Sequence, residues 1–155
     1  MLKSPSQGFF NACQQQLEKV SGDTLIIMVS MPLLPLKGMA EIIDWRLNSL
    51  LSRLIVEEKY EGAQGESLLL PCKDKLPVER VVILGLGRTT KTDIVKILKG
   101  LKSKECSIVF PKNFKKDLRT FFFDDVQSNS FNWNKIEEKS LGDENLITLN
   151  KIHYS

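Results

Sequence analysis

Two periods alternate along this chain. "TLIIMVS" (24–30) is a continuous apolar run of strand length, "ESLLLP" (66–71) and "RVVILGLG" (80–87) read as the next strands, and "CSIVFP" (106–111) as a fourth. Runs that are apolar on both alternating faces suit the middle of a sheet covered on both sides. Between the runs the spacing turns helical. Phe9, Phe10, Cys13, Leu17 and Val20 recur at helical intervals before Gly22 and Asp23; Pro32, Pro35 and Gly38 mark a loop; residues 39–57 form the longest predicted helix. "TKTDIVKILKGL" reads as a further helix and "NFKKDLRTFFF" as a short one. The alternation predicts an α/β fold, with strands near 24–30, 66–70, 81–85 and 106–110 in one mixed sheet between helices. One domain over 1–155 is expected, with its core at about 24–123. The polar stretch from Asp124 reads as a mobile loop over 124–145, and "NLITLNKIHYS" as an edge strand over 146–155.

The long helix carries a second pattern. At about 100° per residue, Met39, Ile42, Ile43, Leu47, Leu50, Leu51 and Leu54 share the core face, with Glu41, Asp44, Asn48 and Ser52 opposite. Trp45, Arg46, Ser49 and Arg53 make a stripe beside the core, and tryptophan with arginine is a composition common in interface hot spots. The reading taken is that Trp45 is buried within the monomer, Arg46 ties down a neighbouring loop, and Arg53 is free to meet a partner.

Composition narrows the class. Of 155 residues, 42% are hydrophobic and 26% charged, as in a folded soluble domain. The start lacks a long apolar signal region, and "LIIMVSMPLLPL" is too short and too proline-broken to span a bilayer. Cys13, Cys72 and Cys106 are widely separated, and His153 is the single imidazole, so neither a disulfide framework nor a zinc site is expected. A cytoplasmic location follows as the expectation. No GxSxG or HExxH is present, and the carboxylates are scattered where two-metal hydrolysis would need several converging on one pocket. No catalytic residue, metal or cofactor is therefore expected.

Charge and glycine supply two further candidates. Between Lys96 and Arg119, eight Lys or Arg face only Glu105 and Asp117, a net of +6 in a chain of +3. Such a patch attracts phosphates, so nucleic acid is a candidate partner. In "ILGLGRTTKTD", Gly85 and Gly87 follow a strand, and Thr90 with Asp93 forms a capping box for the next helix. Backbone N–H groups there, with Arg88 and Thr89, are a candidate phosphate cradle. The full GxGxxG is broken by Thr90.

The ordered series "PLKGMAEIIDWRLNSLLSRLI", "EGAQGESLLLP" and "RVVILGLG" resembles the N-terminal domain of the leucyl (cytosol) aminopeptidase family. The resemblance implies a three-layer α/β/α, macro-like domain. It also implies that the family's peptidase chemistry, carried by Asp, Glu and Lys residues on two metal ions in a separate C-terminal domain, lies beyond this chain. Macro domains proper bind ADP-ribose, which makes the strand C-terminal ends a candidate ligand site, with Ser30, Lys37, Gly38, Gly85, Gly87, Arg88, Thr89, Lys112 and Asn113 as its residues. Two departures weigh against typical ADP-ribose binding: "VSMPLLPLKG" replaces a glycine-rich loop, and "FPKNFKK" holds no glycine where a diphosphate needs close backbone approach. Three readings result. The leading one is a non-catalytic binding module that associates with itself or with a protein partner through Trp45, Arg46, Ser49 and Arg53. The second is a binder of ADP-ribose or another nucleotide, and the third a nucleic-acid binder using 96–119.

Overall fold

The doubly apolar runs become the centre of one sheet. The computed structural model describes residues 15–72, 74–87, 103–111, 133–141 and 144–151. Their elements, in chain order, are β1 (Thr24–Ser30), α1 (Gly38–Arg46), α2 (Leu50–Val56), β2 (Ser67–Pro71), β3 (Arg80–Gly87), β4 (Glu105–Phe110), β5 (Trp133–Leu141) and β6 (Glu144–Lys151). The strand order is β2-β3-β1-β4-β6-β5. β1 is flanked by β3 and β4, both parallel to it, while β2, β6 and β5 join antiparallel. The fold is α/β with a six-stranded mixed sheet, as the alternation predicts.

Register explains why these strands lack the usual alternation of apolar and polar residues. Leu25 and Ile27 align with Val81 and Ile83 of β3 and join a core that holds Met39, Ala40, Ile43, Leu47 and Leu51. Ile26 and Met28 point the other way and are equally buried, as are Val82, Leu84, Ile108, Phe110 and Ile147. Both faces are dry, so every position of β1 from Thr24 to Met28 is buried. Each such aliphatic side chain contributes about 2 kcal/mol of burial.

Asp23 clasps the N-terminal ends of the three central strands. Its Oδ1 accepts from Thr24 Oγ1 at 2.7 Å and Ser103 Oγ at 2.5 Å, and its Oδ2 accepts from the Lys104 N–H at 2.9 Å. Arg80 Nη2 stands 3.8 Å from Oδ1, and the Asp23 carbonyl accepts from the N–H groups of Glu79 and Arg80. Burial alone would raise the carboxyl's pKa; the hydrogen bonds from Ser103, Thr24 and Lys104, with the charge of Arg80, outweigh it and hold it below 3.8. A lowered folded pKa gives stability that is present above the unfolded value of about 3.9 and is lost as pH falls through the folded value. Asp23→Asn is expected to cost about 2 kcal/mol at neutral pH. In urea unfolding, the gap between its midpoint and that of the unsubstituted protein should shrink as pH falls below 3.8.

Two expectations need correction. The helix predicted over 39–57 is two helices, broken where Asn48 and Ser49 adopt φ of 57° and 65°. Asp44, placed on the solvent face by the sequence reading, bridges the break: its carboxylate accepts the Ser52 N–H at 2.8 Å and the Ser52 hydroxyl. Ser49 makes no side-chain cap on α2. Asp44 thus performs the N-cap's role, satisfying an otherwise open donor of the first turn. Second, residues 133–141 of the expected loop form β5, and β6 is an interior strand between β4 and β5 rather than an edge. Leu146, Ile147 and Leu149 are buried in it, which supplies the driving force.

Candidate functional site

At the C-terminal end of β1 the chain runs through Met31-Pro-Leu-Leu-Pro-Leu-Lys37 into α1, and this loop forms one wall of a cleft of about 780 Å³. Ser30, Lys37 and Gly38 line it, together with Pro111 after β4 and Leu141 and Glu144 at the ends of β5 and β6. Most of the lining is apolar, and Met31 and Leu34 are 37% and 41% exposed at it. Among the described residues its polar side chains are few. Ser30 Oγ is buried without a hydrogen-bond partner, Lys37 is exposed, and Glu144 Oε1 accepts the Met39 N–H at 2.7 Å in the first turn of α1. Gly38, at φ 62°, allows this approach, since a Cβ there would lie 2.1 Å from Glu144 Oε1.

Gly85 and Gly87 do not belong to that cleft's lining. They lie within β3 rather than in a loop after it, and their N–H groups are committed: Gly85 donates to the Glu66 carbonyl at 2.8 Å and Gly87 to the Gly62 carbonyl at 2.9 Å. A Cβ on Gly85 would stand 2.4 Å from the Ala63 carbonyl oxygen. Glycine serves here to let the 62–66 segment lie against the strand, and the expected phosphate cradle has no free donors at these two positions. That segment is itself organised around a carboxylate, with Glu66 Oε1 accepting from the N–H groups of Glu61, Gly62 and Ala63 at 3.1, 2.7 and 3.1 Å. Tyr60 locks it to the sheet, its hydroxyl donating towards the Glu66 and Ile83 carbonyls at 3.1 and 3.3 Å. Arg88, Thr89, Lys112 and Asn113 lie outside the described residues, as does the 96–119 basic segment apart from residues 103–111.

The second candidate surface lies on α1 and α2. Arg46, Ser49 and Arg53 are exposed, and Trp45 is half-buried rather than a core residue, because α1 ends beside it and the turn at Leu47–Ser49 carries the apolar stripe away. Arg46 Nη2 donates to the Lys75 carbonyl at 3.0 Å, so it does tie down a neighbouring loop. Val56 at the end of α2 is 69% exposed and Leu69 on β2 is 60% exposed. β2 is an outer strand of the sheet. Sequence reasoning missed Val56 and Leu69 as surface residues because each sits in an apolar run that reads as core. It missed Leu141 and Glu144 because the tail was read as a loop, although "LGDE" carries a two-residue Gly-Asp turn signal.

Little in the described residues suggests bond-making chemistry. Burial pushes the Cys72 thiol up, and burial with Asp23 and Glu105 nearby pushes Cys106 up to about 12, so both are inert packing groups. Among the described residues no three His, Cys, Asp or Glu side chains are grouped to hold a metal, and no helix is long and apolar enough to cross a membrane.

Comparison with known proteins fits this geometry. Residues 32–121 match the model of the cytosol aminopeptidase family, N-terminal domain, which spans α1, α2 and β2 to β4. A probable cytosol aminopeptidase of Cyanothece sp. is 29% identical over 101 residues, covering 59% of this chain and 20% of that protein. One from Alkaliphilus oremlandii is 24% identical over 87 residues (55% and 17%), and one from Thermosynechococcus vestitus is 38% identical over 69 residues (43% and 14%). The match thus spans about a fifth or less of these curated relatives. The chain belongs to the cytosol aminopeptidase family, to which it is matched through that family's N-terminal domain.

Proposed function

We propose that this chain is a non-catalytic association module that works by pairing with a second copy of itself or with a protein partner in the cytoplasm. The observation that carries the reading is the outer strand β2, "SLLLP", which leaves Leu69 60% exposed. An outer strand with an open row of backbone groups and an exposed leucine is a template for pairing, and monomeric proteins blunt such edges with charge or proline. Here the proline, Pro71, comes only at the strand's last residue. Arg46, Ser49, Arg53 and Val56 are further exposed residues on and between α1 and α2. The committed N–H groups of Gly85 and Gly87 weigh against the nucleotide reading.

Self-association is the form to test first. Sedimentation velocity should show a sedimentation coefficient that rises with concentration. Leu69→Lys, which places a charge on the edge, should keep the protein monomeric with its unfolding midpoint within about 0.5 kcal/mol of the original, as for other exposed sites. A protein that is monomeric at every concentration would remove self-association from the account.

A further inference from the structure

The outer edge of β2 carries a pattern that matches its own copy. Gly65, at φ 82°, donates its N–H to the Gly85 carbonyl at 2.9 Å, and Gly85 returns its N–H to the Glu66 carbonyl at 2.8 Å, so Gly65 and Glu66 together oppose Gly85 as a β-bulge. The bulge sets the phase of the strand that follows. Bonded and non-bonded positions alternate in an antiparallel pair, so Leu68 and Leu70 exchange hydrogen bonds with Ile83 and Val81, while Ser67, Leu69 and Pro71 turn their backbone groups outwards. Side chains alternate as well. Leu70 lies in the core with Leu68 packed against it, whereas Leu69 shares the opposite face with Ser67 and Pro71 and is 60% exposed. The edge thus offers the N–H groups of Ser67 and Leu69, the carbonyls of Ser67, Leu69 and Pro71, and one leucine at its centre. Among the described residues no strand lies beyond it.

An identical edge turned antiparallel fits this row. With a two-fold axis at Leu69, that residue and the partner's Leu69 exchange both of their hydrogen bonds, and each Ser67 N–H meets the partner's Pro71 carbonyl. Every outward N–H of both strands is then bonded, and the N–H that proline lacks falls at the end of the row. An axis at Leu68 makes as many hydrogen bonds but sets each Leu69 opposite a serine. The axis at Leu69 sets leucine against leucine, and such cross-strand contact is what stabilises a sheet. No residue from Ser67 to Pro71 is charged, so two copies meet there without like charges. We propose that two copies join β2 to β2 in antiparallel order about a two-fold axis at Leu69, merging their six-stranded sheets into one. This inference rests on the self-association reading and names its partner and register.

The test introduces single cysteines into the full chain, oxidises each protein mildly at concentrations where sedimentation shows association, and locates the new disulfides by peptide mass spectrometry. The unsubstituted chain, with its own three cysteines, is the control. Leu69→Cys should link to itself, because directly opposed residues of a bonded pair stand about 5.5 Å apart at Cα, within the span of a disulfide. Ser67→Cys should not link to itself, since its copy lies four residues further along, roughly 14 Å away. A mixture of Ser67→Cys and Pro71→Cys chains should link one to the other, an arm that keeps Leu69 in place. Leu69→Ala removes both leucines of the symmetric contact at once and should weaken dimerisation about a hundredfold, against less than about threefold for Ser67→Ala. Association in which Ser67→Cys links to Leu69→Cys in preference to these pairs overturns the register, as does self-linking of Ser67→Cys, the mark of parallel pairing. Association with no new disulfide at any of the three positions overturns pairing through β2 while leaving self-association intact. A protein that stays monomeric at every concentration overturns both.

Discussion

Gly85→Ala is expected to destabilise the protein by about 3 kcal/mol, the upper range for forcing extra volume into a packed interior. The new Cβ would meet the Ala63 carbonyl oxygen at 2.4 Å and the Gly62 carbonyl carbon and oxygen at 2.6 Å, all of them backbone. Backbone cannot swing aside as a side-chain tip can. Relief requires moving the 62–66 segment off β3, which breaks the bonds from Gly85 N–H to Glu66, from Gly65 N–H to Gly85 and from Gly87 N–H to Gly62. Gly65→Ala is the internal control, because nothing lies within 4 Å of a Cβ there and only its φ of 82° opposes the change. It should cost about 1 to 2 kcal/mol. Urea unfolding of the two variants separates the packing role from the anion-cradle reading, under which Gly85→Ala would leave the midpoint almost unchanged and impair only ligand binding.

Tyr60→Ala should cost about 3 to 5 kcal/mol, as for other large aromatic truncations in cores. The ring is 2% exposed within the main apolar cluster, and its hydroxyl is the donor that links the Glu66 and Ile83 carbonyls. Tyr60→Phe isolates the second contribution and should cost about 1 to 2 kcal/mol, since it leaves acceptors without their donor. Burial, with the Glu66 charge adding to it, pushes the phenol above its ordinary range. A raised folded pKa means that this contribution is intact below the unfolded value of about 10 and fades as pH rises beyond it. The stability gap between the unsubstituted protein and the Tyr60→Phe variant should therefore narrow in strong alkali.

How much of this was legible in the sequence depended on which physical signal dominated each segment. β1, β3 and β4 were plain, because a strand buried on both faces must be apolar at every position, and "TLIIMVS", "RVVILGLG" and "CSIVFP" are. The break between α1 and α2 was hidden because Leu47, Leu50, Leu51 and Leu54 keep helical spacing through it. The overlooked signal was Asn48-Ser49, two residues whose side chains compete with helical hydrogen bonds and which here take left-handed φ. β5 was obscured by the charges of "NKIEEKSLGDEN", although an outer strand tolerates charge on its open face, whereas β6 was read as a strand from "NLITLNKIHYS" and only its place in the sheet was missed. The glycines of "LGLG" carried an ambiguity that sequence alone cannot resolve. Close backbone approach requires glycine whether the neighbour is a phosphate or another strand's loop, and here the neighbour is residues 62–64. The cleft depended on long-range placement: Glu144 meets Met39 across 105 positions, a pairing no local pattern announces.

The proposed role rests on the outer edge of β2, and hydrogen exchange reads that edge directly. Amides of residues 67–70 that are not bonded to β3 should exchange fast in dilute protein and become protected as concentration rises, with Leu69→Lys abolishing the dependence. Exchange at those amides that is the same at every concentration, in a protein whose other strands remain protected, would contradict pairing through β2.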